Sequence, residues 1–162
     1  MISNTQIQKL KVLLKEHIAT LEGAFVNKNA GYEIAICKNF GFKEQTNRYW
    51  DCLYEEENLF IEFKKGTNIW LDLVRYSEIL LKKNYDAKLD TFTLFFIPDN
   101  NRYSITTIIG IETSKIIEKV KLNKESAENL LTLKDVVPRS LNAQASLTVK
   151  DIREIKDFIV NR

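Results

Sequence analysis

Apolar residues recur at helical spacing in three parts of the first half of the chain. The first part, residues 5–21, predicts an amphipathic helix. A second helix is predicted from residue 28 or 29 to Phe40, because Gly41 and Phe42 follow it as a stop signal. The third predicted helix covers residues 68–83, and its apolar stripe consists of Ile69, Leu73, Tyr76 and Leu80.

Four apolar runs are typical of β-strands instead. In "WDCLYEEENLFIEF", residues 50–54 and 59–63 flank an acidic turn at residues 55–58, which predicts a β-hairpin. The run "DTFTLFFIPD" (residues 90–99) is so rich in β-branched and aromatic residues that it predicts a strand buried on both faces. The run "YSITTIIGI" (residues 103–111) predicts a further strand.

The rest of the chain predicts helices around one polar loop. Short helices are predicted near residues 114–120 and 124–133, and a loop at residues 136–146. A last helix is predicted to begin at Thr148, where Asp151 completes a capping box. Its inward-facing residues are predicted to be Ile152, Ile155, Phe158 and Ile159.

This order of elements predicts an α/β or α+β fold, with a central mixed β-sheet flanked by helices. The length of 162 residues and the hydrophobic fraction of 44% suit a single domain, residues 1–162. No apolar run approaches the ~20 residues that span a bilayer, and the N-terminal charges do not suit a secretory signal, so we expect no membrane association.

The cysteine and histidine residues and the net charge exclude few kinds of functional site. Cys37 and Cys52 stand in apolar surroundings and are predicted to be buried free thiols, which suits a cytoplasmic protein. With His17 as the one further soft ligand, a zinc site is not expected. The net charge of +2 neither supports nor excludes a polyanionic partner.

Three charged residues interrupt the predicted hairpin. If the turn is residues 55–58, Tyr54 pairs with Leu59, and counting back sets Asp51 opposite Glu62. Lys64 then lies two residues further along the same face. Two carboxylates at this distance repel each other, and a divalent cation between them removes the penalty.

Carboxylate oxygens completed by water suit Mg²⁺, and the Phe63 carbonyl would supply another oxygen. A lysine beside such a metal can orient a water molecule or stabilise the charge on a phosphate, as metal-assisted phosphodiester hydrolysis requires. The alternative is a surface hairpin, in which Asp51 and Glu62 are solvated and Lys64 forms an ordinary salt bridge.

In these motifs the chain resembles the PD-(D/E)XK nuclease superfamily, and within it the small type II restriction endonucleases. The resemblance covers residues 31–117. "RYWD" and "IEFKKG" resemble the two catalytic motifs, and "GYEIAICKNFGF" resembles the preceding helix that carries a glutamate. "WLDLVRYSEILL" and "TFTLFFIPD" resemble the helix and core strand that follow. The chain departs from the family pattern at Trp50, where many members have proline.

The resemblance implies a restriction-endonuclease-like core and a Mg²⁺-dependent endodeoxyribonuclease. Asp51 and Glu62 would hold Mg²⁺, Lys64 would position or deprotonate the attacking water, and Glu33 would be a further ligand, directly or through water. The expected enzyme is a type II restriction endonuclease that cuts a short palindrome in double-stranded DNA as a homodimer, its dimer surface supplied by the first or the last helix. Junction resolution, repair, a toxin domain and a non-catalytic DNA-binding protein remain alternatives.

Further polar residues are candidates for contact with DNA. Arg and Asn or Gln side chains can read guanine and adenine respectively, and Lys or Arg can bind phosphate. For each residue an ordinary solvent-exposed or structural role is the alternative; on the third helix, Asp72, Arg75 and Glu78 would then form a solvated face. The candidates are Lys65, Arg75, Arg102, Arg139, Asn142 and Gln144.

Overall fold

A computed structural model of the protein describes residues 1–21, 32–100, 104–137 and 143–162. A short 3₁₀ turn (Ile18–Leu21) extends the first helix. The predicted capping box of the last helix, from Thr148 to Asp151, is confirmed. The α-helices are α1 (Asn4–His17), α2 (Tyr32–Phe40), α3 (Leu73–Leu81), α4 (Thr113–Lys119), α5 (Lys124–Val136) and α6 (Val149–Ile155).

The strands form a six-stranded sheet and a separate two-stranded ribbon. The order in the larger sheet is β1-β2-β3-β5-β6-β8, and the ribbon pairs β4 with β7. Strands β3 and β5 are parallel, whereas the other pairs are antiparallel, so the predicted mixed sheet is confirmed. The strands are β1 (Lys43–Glu44), β2 (Cys52–Tyr54), β3 (Leu59–Lys65), β4 (Asn68–Asp72), β5 (Thr91–Pro98), β6 (Ile105–Glu112), β7 (Gln144–Thr148) and β8 (Phe158–Asn161).

Helices cover both faces of the larger sheet, and β5 supplies core residues to both. Phe92 and Phe96 on one face pack into a cluster with residues of α1 and α2. Phe95 on the opposite face belongs to a second cluster with residues of α3, α4 and α6. The prediction that this strand is buried on both faces is therefore confirmed.

The cysteines lie in the first of these clusters. Cys37 and Cys52 are buried free thiols, as predicted, and burial raises the pKa of Cys52. Among the described residues, no helix combines the length and apolar composition that crossing a bilayer requires.

The prediction of helix from residue 68 onward is wrong for five residues, which form β4. Ile69 and Leu71 are buried, whereas Asn68, Trp70 and Asp72 between and beside them are exposed, which is strand periodicity. Helix α3 begins only after Asp72, whose carboxylate caps the helix by accepting from the Val74 and Arg75 amides. The sheet partner of β4 lies far along the chain.

That partner is β7, whose first residues were predicted to be loop. Residues 144–146 form a strand because each is paired with a residue of β4, from Asp72 opposite Gln144 to Trp70 opposite Ser146. The loop was predicted to begin at residue 136, but α5 continues to Val136. Residues 138–142 of the predicted loop lie outside the described residues.

The last predicted helix also ends early. Phe158 and Ile159 belong to β8, not to α6, which ends at Ile155. Lys156 has extended backbone angles, and Phe158 then pairs with Gly110 at the edge of the large sheet. The start of α2 predicted at residue 28 or 29 lies outside the described residues, while its end at Phe40 is confirmed.

Gly110 leaves room for two stacked rings, and this gives a test of the fold. Phe92 and Phe158 lie parallel with centroids 5.6 Å apart, and a Cβ at position 110 would be 2.4 Å from Phe158 Cζ and 2.7 Å from Phe92 Cε1. We expect Gly110→Ala to lower the free energy of unfolding by about 1–3 kcal/mol because of overpacking, measured by denaturant unfolding.

Gly110→Ala combined with Phe158→Leu serves as the control, because the smaller side chain removes one of the clashes. The double variant should lose less stability than the sum of the two single changes. Unchanged stability of Gly110→Ala would contradict the packing described here.

Candidate active site

The hairpin brings the side chains of Asp51 and Glu62 next to each other. Tyr54 pairs with Leu59, and Cys52 pairs with Ile61, as the turn at residues 55–58 predicted. Beyond β2 the pairing shifts by one residue, because the Asp51 amide donates at 2.8 Å to the carbonyl of Ile61, which is already the partner of Cys52. The predicted register is therefore confirmed for residues 52–54, whereas the Asp51 backbone departs from it. The Asp51 side chain nevertheless interacts with Glu62.

The Asp51 carboxylate is fixed by the backbone of the opposite strand. Its Oδ2 accepts a hydrogen bond of 2.7 Å from the Phe63 amide. Burial raises the pKa of Asp51, and the charge of Glu33 adds to this increase. Glu33 lies in the first turn of α2, so this helix directs a third carboxylate toward the hairpin.

Glu62 is the most deeply buried charge of the cluster, with 9% of its side chain exposed. Burial and the neighbouring Asp51 charge raise the pKa of Glu62 to about 8. Its Oε1 lies 3.5 Å from Lys64 Nζ and 3.2 Å from Arg75 Nη2. Two cations therefore surround Glu62, yet its negative form remains disfavoured. The alternative of a solvated surface hairpin is thus wrong.

Lys64 and Arg75 share this environment. Burial lowers the pKa of Lys64, and the charge of Arg75 adds to the decrease. Arg75 Nη1 donates to the Arg48 carbonyl at 3.2 Å, while its buried Nε has no partner among the described residues. Arg75 forms an ion pair with Glu62 and is largely buried, so it does not lie on a solvated helix face. Its predicted contact with DNA stays a prediction.

Hydrogen bonds and ion pairs that the sequence analysis did not predict hold the segment before Asp51 in place. Glu78 is buried on α3, accepts from the Tyr49 hydroxyl at 2.5 Å, and pairs with Arg48 at 3.2 Å and with Lys134 at 3.2 Å. Arg48 also lies 3.7 Å from Asp72. Helix α3 therefore anchors the two residues that lead into the hairpin, and Glu78 does not lie on a solvated face.

The predicted catalytic residues line one open cleft of about 650 Å³. Lys65 lies on the same wall, and so do Asn68 and Trp70 of β4, which sequence reasoning did not assign to the site. Gln144 lies on β7, paired with Asp72, rather than in a loop. The sequence-predicted residues that line the cleft are Glu33, Asp51, Glu62, Phe63, Lys64, Lys65 and Arg75.

Three candidate DNA contacts, Arg102, Arg139 and Asn142, lie outside the described residues. His17, which was not assigned a catalytic role, packs its ring edge against Phe40 on α2, with centroids 6.2 Å apart.

The chemistry of the cleft fits a hard divalent cation held by few protein ligands. Within the described ranges, no three acidic, histidine or cysteine side chains are grouped closely enough to hold a metal by themselves. Asp51 and Glu62 nevertheless provide two neighbouring carboxylates of raised pKa. Mg²⁺ prefers oxygen ligands of this kind, and water molecules complete its coordination. A bound cation would offset the repulsion between Asp51 and Glu62.

No protein-family model matches this chain, and no curated protein matches it either. The resemblance to the PD-(D/E)XK nucleases therefore rests on the motifs and remains a prediction.

Proposed function

We propose that this protein is a Mg²⁺-dependent endodeoxyribonuclease of the PD-(D/E)XK type, and specifically a type II restriction enzyme that cuts a short palindrome. The observation that carries the proposal is the charge cluster of the hairpin. The Asp51 carboxylate lies beside that of Glu62, and Lys64 Nζ lies 3.5 Å from Glu62 Oε1 inside an open cleft.

The roles follow from the position of each group. Asp51 and Glu62 would hold the metal with the Phe63 carbonyl, and Glu33 would reach it directly or through water. When bound, Mg²⁺ would lower the pKa of a water molecule and polarise the scissile phosphate. Lys64 would position or deprotonate that water, because burial lowers its pKa and thereby favours the neutral form that accepts a proton.

The charges of the cleft support a polyanionic substrate once a cation is bound. Its described wall carries four basic and four acidic side chains, so the formal charges balance when all are ionised. A divalent cation changes this balance to +2, which favours a phosphate backbone. The basic side chains are Arg48, Lys64, Lys65 and Arg75, and the acidic ones are Glu33, Asp51, Glu62 and Asp72.

A homodimer is part of the proposal. Each protomer contributes one such cleft, and cutting both strands of a palindrome requires two sites related by two-fold symmetry. Size-exclusion chromatography with light scattering reports this state independently of activity.

Incubation of the purified protein with supercoiled plasmid tests the proposed function. We expect discrete fragments with Mg²⁺ and no cleavage with EDTA. A smear would support a nonspecific nuclease of the same fold and would overturn the restriction assignment. Intact plasmid with both Mg²⁺ and Mn²⁺ would overturn the nuclease proposal and leave a DNA-binding protein.

A further inference from the structure

The two-stranded ribbon of β4 and β7 has one buried and one exposed face. Ile69 and Leu147 face each other on the buried side. On the other side, three cross-strand pairs are exposed in all six members. These pairs are Asn68 with Thr148, Trp70 with Ser146, and Asp72 with Gln144.

Two of the exposed residues have structural tasks. Thr148 caps α6, and Asp72 caps α3 and lies beside Arg48. The other four form what we call the ribbon face, and their side chains make no hydrogen bond or ion pair within the described parts of the chain. They are Asn68, Trp70, Gln144 and Ser146.

Trp70 is the most distinctive member of the ribbon face. Trp70 is 58% exposed, whereas Trp50, the other tryptophan of the chain, is 6% exposed. Large aromatic side chains at the surface are common anchors of binding interfaces. Trp70 and Asn68 also line the cleft of Asp51 and Glu62, so this edge of the ribbon face adjoins the cleft.

The dimensions of the ribbon suit duplex DNA. The major groove, about 12 Å wide, admits a two-stranded β-ribbon. Asn68 and Gln144 stand at diagonal corners, four residue steps apart along the strands. This separation of about 13 Å corresponds to about four base pairs. The ribbon face carries no net charge, so its groups suit base edges rather than phosphates.

We propose that the ribbon face lies in the major groove and reads A·T base pairs beside the cleaved bond. Asn68 and Gln144 present amides, which pair with adenine N6 and N7, and Trp70 presents an apolar surface to a thymine methyl group. The inference rests on the proposed nuclease function, since it makes the ribbon face the specificity element of that same cleft.

The test compares DNA affinities in a Lys64→Ala background with Mg²⁺, so that binding is measured without cleavage. The probes are plasmid-derived PCR fragments made with dATP or with 7-deaza-dATP, which lacks the N7 acceptor of the major groove. We expect Trp70→Ala and Gln144→Ala each to weaken binding to the dATP fragment by about ten- to a hundredfold. Tyr85→Ala removes an aromatic that is 89% exposed outside the described cleft wall, and should bind like the parent.

Two further readouts locate the contact. DNA should change the tryptophan fluorescence of the parent but not of Trp70→Phe, which keeps an aromatic ring and leaves Trp50 buried. The 7-deaza substitution should weaken binding by the parent more than binding by Gln144→Ala.

Parental affinity in both ribbon variants would overturn the inference, and so would equal affinity of the parent for the two fragments. If the wild-type protein still cut plasmid, the proposed function would survive this failure. Conversely, suppose that the ribbon variants bind DNA more weakly than the parent while the wild-type protein cuts no DNA. That result would support DNA binding by the ribbon face and would overturn the nuclease proposal.

Discussion

Lys64→Ala should lower the rate of DNA cleavage by about 10²- to 10⁴-fold, the usual contribution of a positioned acid or base. Lys64 Nζ lies beside Glu62 in the cleft, and no other lysine of the hairpin has the same position on this face. Single-turnover cleavage at saturating Mg²⁺ measures the effect on the chemical step.

Folding and DNA binding should survive this change. Loss of the ammonium leaves Glu62 paired with Arg75, and Glu62 can take up a proton because its pKa is already raised. Lys64→Met, which keeps most of the apolar stem, should be equally inactive. Lys43→Ala removes an exposed lysine of β1 and should cut normally. Near-normal cleavage by Lys64→Ala would remove Lys64 from the mechanism.

Asp51→Asn should abolish Mg²⁺ binding in calorimetry and yet stabilise the metal-free protein. The amide oxygen can still accept from the Phe63 amide, so the hairpin keeps its bond, while the repulsion of Glu62 disappears. We expect a gain on the order of 1 kcal/mol near pH 8, or a rise in Tm of roughly 2–4 °C.

The pH dependence has a definite sign. Glu62 has a folded-state pKa of about 8 against an ordinary value of 4.5, so its contribution to stability is present below pH 4.5 and is lost as the pH rises to about 8. The advantage of Asp51→Asn over wild type should therefore be small at pH 5 and largest above pH 8, in thermal unfolding with EDTA.

Asp135→Asn, a change of an exposed carboxylate on α5, is the matched control and should show no such pH-dependent gain. A destabilised Asp51→Asn protein at pH 8, or unchanged Mg²⁺ binding, would contradict the assignment of this carboxylate pair.

Local rules were sufficient for the hairpin and its register within β2. The acidic turn is short, the strands alternate with a period of two, and one count back from Tyr54 and Leu59 correctly pairs Cys52 with Ile61. Asp51 shifts by one residue, since its amide bonds to Ile61, and a count from the turn does not reveal such a shift. The helix caps are equally local, as Thr148 and Asp151 illustrate.

The ribbon was missed because its cause is distant in sequence. "NIWLDLVRYSEILL" contains both a strand and a helix, and apolar residues at 69, 73, 76 and 80 satisfy helical spacing by coincidence. Two signals favoured the correct division: the alternation from Asn68 to Asp72, and an aspartate at the N-cap of α3. The pairing of β4 with β7, more than seventy residues later, left no local signal.

Part of the site depends on packing in the same way. The contact of Arg75 with Glu62, and the bonds of Glu78 to Arg48 and Tyr49, exist because α3 packs beside the hairpin. Spacing along one helix indicates which residues share a face, but it does not indicate what that face contacts.

The most direct test of the central claim is the location of Mn²⁺ by anomalous diffraction from crystals of the protein with duplex DNA, at a Mn²⁺ concentration that supports cleavage. Mn²⁺ takes the place of Mg²⁺ as an anomalous scatterer. The claim predicts a peak within direct coordination distance of both the Asp51 and the Glu62 carboxylates, next to a phosphate of the DNA. A peak held by other residues, or no peak between these two carboxylates, would contradict it.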